Sequence, residues 1–124
     1  MQKMAVIFKT CPLFEESFAN IASARKIIAR FEEFKKWKSE NPIKNFGSKD
    51  EPLIRKGPFG EAVPGIKHAH LTQDVSVWYT IEGRDPTVIK LYGIFTHAQS
   101  GTGQPQNFKK SQALATRMAN QQFS

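Results

Sequence analysis

The most regular pattern in the sequence lies between residues 66 and 95, where runs of strand-forming residues are separated by two short turns. Residues 66–71 and 74–81 flank a tight turn at Thr72–Gln73, and residues 87–95 follow the turn "EGRDP" at 82–86. Connections this short join antiparallel strands, because parallel strands need a long crossover. The pattern therefore predicts an antiparallel meander of three strands.

Helical periodicity is clearest in the first third of the chain. Residues 4–8, "MAVIF", predict a short buried strand, and residues 14–38 repeat apolar side chains at helical spacing. A break near Asn20–Ser23 would divide this helix into a helical hairpin. The opposite face of the predicted helix is charged, and its basic residues include Lys35, Lys36 and Lys38.

A last helix is predicted at residues 107–122. Its expected inward-facing residues are Phe108, Leu114, Ala115 and Met118. Together the segments predict an α+β fold, in which an N-terminal strand and helix, or helix hairpin, packs on an antiparallel sheet and a C-terminal helix follows.

The remaining long segment, residues 41–65, is rich in glycine and proline and predicts an enlarged loop with one strand at most. A chain of 124 residues is near the usual size of one domain. We therefore expect a single domain over residues 1–124, in which 41–65 is the enlarged loop and 107–124 the C-terminal helical segment.

The charge balance points to a polyanionic partner. Eighteen Lys and Arg against eleven Asp and Glu give a formal net charge of +7. Such an excess favours nucleic acid, the ribosome included, through long-range attraction and counterion release. The single cysteine, Cys11, allows no intramolecular disulfide, and no apolar run is long enough to span a membrane. We therefore expect a cytoplasmic protein without a membrane partner.

All three histidines are predicted to meet at one edge of the sheet. His68 and His70 share a strand face because they are two residues apart, and Asp74 lies just across the turn, near His70. His97 follows the third strand, whose end lies beside the start of its antiparallel neighbour. Imidazoles that titrate near neutral pH, beside a carboxylate, suit general acid–base chemistry.

Other interpretations of the same residues remain open. A strand histidine is often an ordinary surface residue, and an aspartate at a turn often caps that turn. His-x-His with a carboxylate also occurs in zinc and iron sites, but the further Cys or Glu ligands that mark such sites are missing, so neither a metal nor another cofactor is predicted. The segment "GTGQPQNFKK" lacks the ending of a phosphate loop, although Lys109 and Lys110 are candidate phosphate contacts.

The second half of the chain resembles the RelE/ParE superfamily of toxin–antitoxin toxins, most closely the YafQ-like branch. The phrases "HLTQDVSVWY" and "LYGIFTHAQSG" carry the resemblance. The branch shows His, three residues, Asp, four residues and Tyr, which fall on His70, Asp74 and Tyr79. It also shows a last strand that ends in Thr-His, here Thr96 and His97.

The resemblance implies a ribosome-dependent mRNA endoribonuclease that needs no metal. The 2′-hydroxyl of the RNA would attack the neighbouring phosphate, with Asp74 or His70 as base and His97 as acid. Basic residues would stabilise the added charge on the phosphate. The RNA and phosphate contacts that we predict are Lys67, Arg55, Lys56, Arg84, Tyr79, Lys109 and Lys110. The resemblance further implies an antitoxin protein as partner, in addition to mRNA and the ribosome.

The sequence departs from the YafQ-like pattern at two places. The branch carries a further histidine upstream, where this chain has Gly57, and His68 is the candidate to replace it. The branch also carries an aromatic residue four positions after its last histidine, and this chain has Gly101 at that position. A second hypothesis therefore stays open, that of a non-catalytic basic protein of the same fold that inhibits gyrase or binds RNA or another protein.

Overall fold

The computed structural model describes residues 5–53, 58–101 and 108–124, which form one mixed sheet with helices on both faces. Within these ranges the elements in chain order are β1 (Val6–Lys9), α1 (Pro12–Asn20), α2 (Arg25–Glu40), β2 (Asp50–Pro52), α3 (Phe59–Ala62), β3 (Lys67–His70), β4 (Val75–Glu82), β5 (Thr87–Thr96), α4 (His97–Ser100) and α5 (Phe108–Ala119). The α+β prediction is confirmed.

The five strands lie in the order β1-β5-β4-β3-β2. The meander β3–β4–β5 is antiparallel throughout, as the short turns predict, and β2 adds an antiparallel edge strand to β3. β1 is the exception, because it pairs in parallel with β5. The long helical connection after β1 allows this parallel pairing, and the sequence pattern did not specify it.

The predicted break in the first helical segment is present, and α1 and α2 form a hairpin around residues 21–24. Pro12 occupies the first turn of α1, where its missing N–H is tolerated. Helix α2 covers one face of the sheet, where Phe34 meets Tyr79 edge-on with 5.1 Å between ring centroids. This face of the sheet carries Lys67, Ala69, Val77 and Tyr79.

The opposite face of the sheet carries His68, His70, Ser76 and Trp78. Phe59 of α3 meets Trp78 edge-on at 4.6 Å. Residues 75–80 of β4 are therefore buried on both faces. The prediction that Phe108 faces inward is wrong, because it is 51% exposed. The buried stripe of α5 begins only at Ser111, and Phe108, although three residues earlier on the same side of the helix, lies in the exposed first turn.

The enlarged loop predicted at 41–65 contains β2 and the one-turn helix α3. β2 is the single strand that was expected there. Residues 54–57, with the predicted RNA contacts Arg55 and Lys56, lie outside the described residues. Across the parts of the chain described above, no helix has both the length and the apolar character needed to cross a membrane.

Candidate active site

Three imidazoles form a row along one end of the sheet. The ring centroids of His68 and His70 are 5.1 Å apart, and those of His70 and His97 are 5.9 Å apart. His68 and His70 project from the same face of β3, and β5 ends directly before His97. The convergence of the histidines at one edge, which the sequence predicts, is present in the structure.

A carboxylate stands at each end of this histidine row. At one end Asp74 Oδ1 lies 3.3 Å from His97 Nδ1 and also accepts the backbone N–H of His97. At the other end Glu51 Oε1 lies 3.5 Å from His68 Nε2. Asp74 was expected beside His70, and its contact is instead with His97. The side chains along the row therefore lie in the order Glu51, His68, His70, His97, Asp74. Glu51 was not predicted from the sequence.

Local structure fixes the position of His97. Thr96 caps α4, since its hydroxyl accepts the N–H of Gln99 at 3.1 Å while the Gln99 side chain accepts the N–H of Thr96 at 2.8 Å. This reciprocal pair is a capping box. His97 is the first residue of that helix, so the cap holds its backbone where β5 ends. The turn before β4 is capped by Thr72, whose hydroxyl accepts the N–H of Val75 at 3.1 Å, which leaves the Asp74 side chain to His97.

The three histidines differ in exposure. His97 is the most open, with 41% of its side chain exposed, and His70 is half-buried. His70 Nδ1 is buried and has no hydrogen-bond partner within the described part of the chain, so Nε2 is its nitrogen for outside contacts. His68 is 2% exposed. A ring buried this deeply does not reach a phosphodiester, and the direct catalytic role predicted for His68 is therefore corrected to a supporting position behind His70.

A buried ionic network lies on the α2 face of the sheet. Lys38 Nζ is 3.0 Å from Asp50 Oδ2, and both side chains are fully buried. The Tyr79 hydroxyl donates to Asp50 Oδ1, and the N–H of Phe46 donates to Asp50 Oδ2 at 2.8 Å. Desolvation lowers the pKa of Lys38, although the hydrogen bond to Asp50 opposes this shift. Burial, followed by the hydrogen bond to Asp50, raises the pKa of Tyr79 above its ordinary range.

This network corrects three predictions. Tyr79 has no exposed surface, so its role as an RNA contact is wrong. Lys67 shares the α2 face with Tyr79, and its ammonium lies 3.7 Å from Asp50 Oδ1 and 3.3 Å from Asn45 Oδ1. It therefore does not join the histidine row on the other face. Lys38, predicted on the charged surface of the helix, is buried.

The remaining predicted basic contacts lie at different ends of the molecule. Arg84 is exposed in the turn between β4 and β5, and seven steps of about 3.3 Å along β4 put it on the order of 20 Å from the row. It does not reach a phosphate held at the histidines. Lys109 and Lys110 are exposed at the start of α5. The hydroxyl of Ser111 donates to the carbonyl of Ser100 at 2.8 Å, which brings this end of α5 against α4, one turn from His97.

In the described residues, no group of three or more His, Cys, Asp or Glu side chains is arranged to hold a metal ion. The imidazoles are spaced as neighbouring rings, with a carboxylate against each outer ring. The site therefore offers the open imidazole of His97 next to a carboxylate, and the half-buried imidazole of His70 beside it.

Comparisons with known proteins place this geometry in a known architecture. No protein-family model matches the sequence, and no curated protein is significantly similar to it. Among solved structures, the chain superposes with a TM-score of 0.57 on a chain of the E. coli DinJ-YafQ toxin-antitoxin complex. The alignment covers 78% of this chain and 96% of that chain at 14% identity. The fold is RelE-like. At this identity the likeness concerns the RelE-like fold alone, and the chemistry must be argued from the residues of this chain.

Proposed function

We propose that the protein is a toxin of the toxin–antitoxin type that cleaves mRNA on the ribosome. The observation that carries the proposal is the row of three imidazoles between two carboxylates, at one end of a RelE-like sheet in a chain of net charge +7. The fold supports the toxin class. The histidine row supports cleavage over simple binding, because a basic docking surface needs no such cluster.

From the geometry we infer acid–base roles for two of the histidines, which the sequence left open. His70 Nε2 takes the proton from the 2′-hydroxyl as its oxygen forms a bond to the neighbouring phosphorus. His97 donates a proton to the 5′-oxygen as the bond from phosphorus to that oxygen breaks. The products are a 2′,3′-cyclic phosphate and a free 5′-hydroxyl. Asp74 orients His97 through Nδ1, which leaves Nε2 to face the leaving oxygen.

The charge that develops on the phosphate is stabilised by cations near the row. Lys109 and Lys110, at the start of α5, are the predicted contacts on the side of His97. Such preorganised charges act most strongly where they meet the transition state. No step in this scheme draws on a bound metal, so a chelator selective for zinc and iron, with Mg²⁺ kept high enough for intact ribosomes, is expected to leave cleavage unchanged.

The proposed partners follow from the toxin class. The solved neighbour is a toxin–antitoxin complex, and we propose a protein antitoxin for this chain as well. An acidic or amphipathic segment would complement the charge of +7. The proposed site of action is the cytoplasm, where mRNA is translated.

The decisive experiment is to express the protein and map new 5′ ends of cellular mRNA. Codon-phased cuts with 5′-hydroxyl ends are expected for the natural chain and lost in His97→Ala. Arg84→Ala is the matched control, because Arg84 is exposed in the turn between β4 and β5, far from the histidine row. The Arg84→Ala variant should cut mRNA normally. Intact messages together with damaged DNA would instead support a gyrase inhibitor of the same fold, and unchanged cutting by His97→Ala would end the catalytic assignment.

A further inference from the structure

A cleft of about 280 Å³ opens at the rim between β3 and α2, and its lining includes His70, the middle residue of the histidine row. His70 and the turn that follows it form one wall. Arg30 of α2 forms another, and the loop before β2 forms the floor. The lining includes Arg30, Phe46, Lys49, His70 and Thr72.

Arg30 is held in this cleft by three contacts. Its Nε donates to the carbonyl of Leu71 at 3.0 Å, and its NH1 group pairs with the carboxylate of Glu33. The guanidinium carbon lies 4.8 Å from the ring centroid of Phe46. The ring of Phe46 is itself fixed edge-on against Phe34 at 5.5 Å. The guanidinium is therefore a fixed flat surface, and 38% of the Arg30 side chain remains exposed.

The cleft is linked directly to His70. The backbone carbonyl of Lys49 accepts the N–H of His70 at 3.1 Å, so the loop that forms the floor is tied to β3. The Lys49 side chain is exposed and can meet a backbone phosphate. Hydroxyl and amide groups of Ser48, Thr72 and Gln73 complete the lining. A flat cation, a lysine and several hydrogen-bonding side chains are the features that hold an unstacked RNA base.

We propose that this cleft binds one nucleobase adjacent to the scissile phosphate, stacked on the Arg30 guanidinium. The proposal rests on the RNA substrate proposed above and adds a subsite to it. Removing one base from its neighbours and holding it here would place the linked phosphodiester at His70 and His97. Arg30 is thus a substrate-positioning residue, and its planar group matters more than its charge, because base stacking uses the guanidinium face.

The test measures binding of short, fluorescent, single-stranded RNAs that carry 2′-methoxy groups and cannot be cut. In a series of these RNAs each base in turn is replaced by an abasic ribose. We expect the natural chain to lose about tenfold in affinity at one position of the series, the range known for stacking of a base. Arg30→Lys keeps the charge and removes the plane. It should bind the abasic and complete RNAs within about twofold of each other, with an unchanged salt dependence.

Arg117→Lys is the matched control, because Arg117 is also a half-exposed helical arginine paired with a carboxylate, that of Glu16. It should discriminate abasic RNA as the natural chain does. Discrimination that survives in Arg30→Lys, or that the natural chain lacks, overturns the subsite. If the natural chain discriminates abasic from complete RNA but cuts no mRNA, the subsite is supported and the nuclease proposal is refuted. If it cuts mRNA but does not discriminate abasic RNA, the nuclease proposal stands and the subsite is refuted.

Discussion

At the scale of single residues, the pair Asp74 and His97 decides how the proposed acid is held. The Asp74 side chain is largely exposed and that of His97 is partly exposed, and the contact between Nδ1 and Oδ1 is 3.3 Å. Asp74→Asn preserves shape and removes the charge, so we expect the single-turnover rate constant of cleavage to fall about tenfold. His97→Ala should lower the same rate constant about 10²–10⁴-fold, the usual contribution of a general acid. The measurement is single-turnover cleavage on programmed ribosomes.

A double-mutant cycle distinguishes this coupling from two independent effects. If Asp74 acts through His97, adding Asp74→Asn to His97→Ala changes nothing further. Multiplied losses in the double variant would contradict the orienting role. Glu82→Gln is the control, since this exposed carboxylate pairs with Lys90 at the other end of the hairpin.

The buried Lys38 is a charged residue whose loss should strongly affect stability. Lys38→Met removes the fully buried cation from Asp50 and leaves only the partly exposed Lys67 ammonium, 3.7 Å away, beside the buried carboxylate. Breaking a buried ion pair typically costs about 3–5 kcal/mol. Urea unfolding followed by circular dichroism measures this change. Lys36→Met, at an exposed position two residues earlier on the same helix, should stay within about 0.5 kcal/mol of the natural chain. If the two substitutions change the free energy of unfolding equally, the buried Lys38–Asp50 pair contributes no more to stability than an exposed lysine does.

The residues of the site were predictable from the sequence to different degrees. His70 and His97 follow from two simple rules, that residues two apart share a strand face and that antiparallel ends meet. Lys38 and Asp50 look like ordinary surface charges in the sequence. Their burial depends on how the loop before β2 folds over α2, a long-range packing that no local pattern encodes. The carboxylate of Glu51 was missed for the same reason, because it reaches His68 only through the pairing of β2 with β3.

At the scale of elements, the one-turn helix α4 carries the imidazole of the proposed acid, His97. Thr96→Val keeps a β-branched strand residue and removes the hydroxyl that accepts from Gln99. We expect a loss of about 1 kcal/mol in stability, typical of a lost cap, and a fall of several-fold in kcat with KM unchanged. Thr116→Val, at an exposed site of α5, is the control and should alter neither. A normal kcat in Thr96→Val would show that His97 does not depend on the cap.

Most helices and strands could be predicted from the sequence, but the pairing partners of β1 and β2 could not. Periodicity predicted the helix hairpin, and short turns predicted the meander. The parallel pairing of β1 with β5 and the strand β2 within a glycine- and proline-rich stretch depend on contacts far apart in the chain. Phe108 was assigned to the buried stripe because its apolar character outweighed its place at the start of α5, where the helix has not yet reached the core.

At the scale of the whole molecule, the Tyr79 hydroxyl links stability to alkaline pH. Its pKa in the folded chain is raised above the ordinary 10.0, so above pH 10 the unfolded chain loses this proton while the folded chain keeps it. The unfolded state then binds fewer protons, and stability falls as pH rises, by about 1.4 kcal/mol per pH unit for one group. The contribution is complete below pH 10.

Tyr79→Phe isolates this effect from that of Lys38, whose lowered pKa acts in the opposite direction. The difference in unfolding free energy between the natural chain and Tyr79→Phe should be constant up to about pH 9 and shrink above pH 10. Urea unfolding at a series of pH values gives both curves. A difference that stays constant to pH 11 would show that the Tyr79 hydroxyl ionises alike in both states.

The charge of +7 makes RNA binding a property of the whole surface, and salt dependence tells which cations take part. For single strands each phosphate contact contributes about 0.7 to the slope of log K against log salt. Lys109→Gln combined with Lys110→Gln should lower the slope by about 1.4, because both exposed residues lie in the first turn of α5, which contacts α4 through Ser111. Arg84→Gln removes a charge at the opposite end and should leave the slope unchanged. If Arg84→Gln lowers the slope and the double lysine variant does not, RNA binds at the turn between β4 and β5. A phosphate bound there lies too far away for His97 to protonate its leaving oxygen.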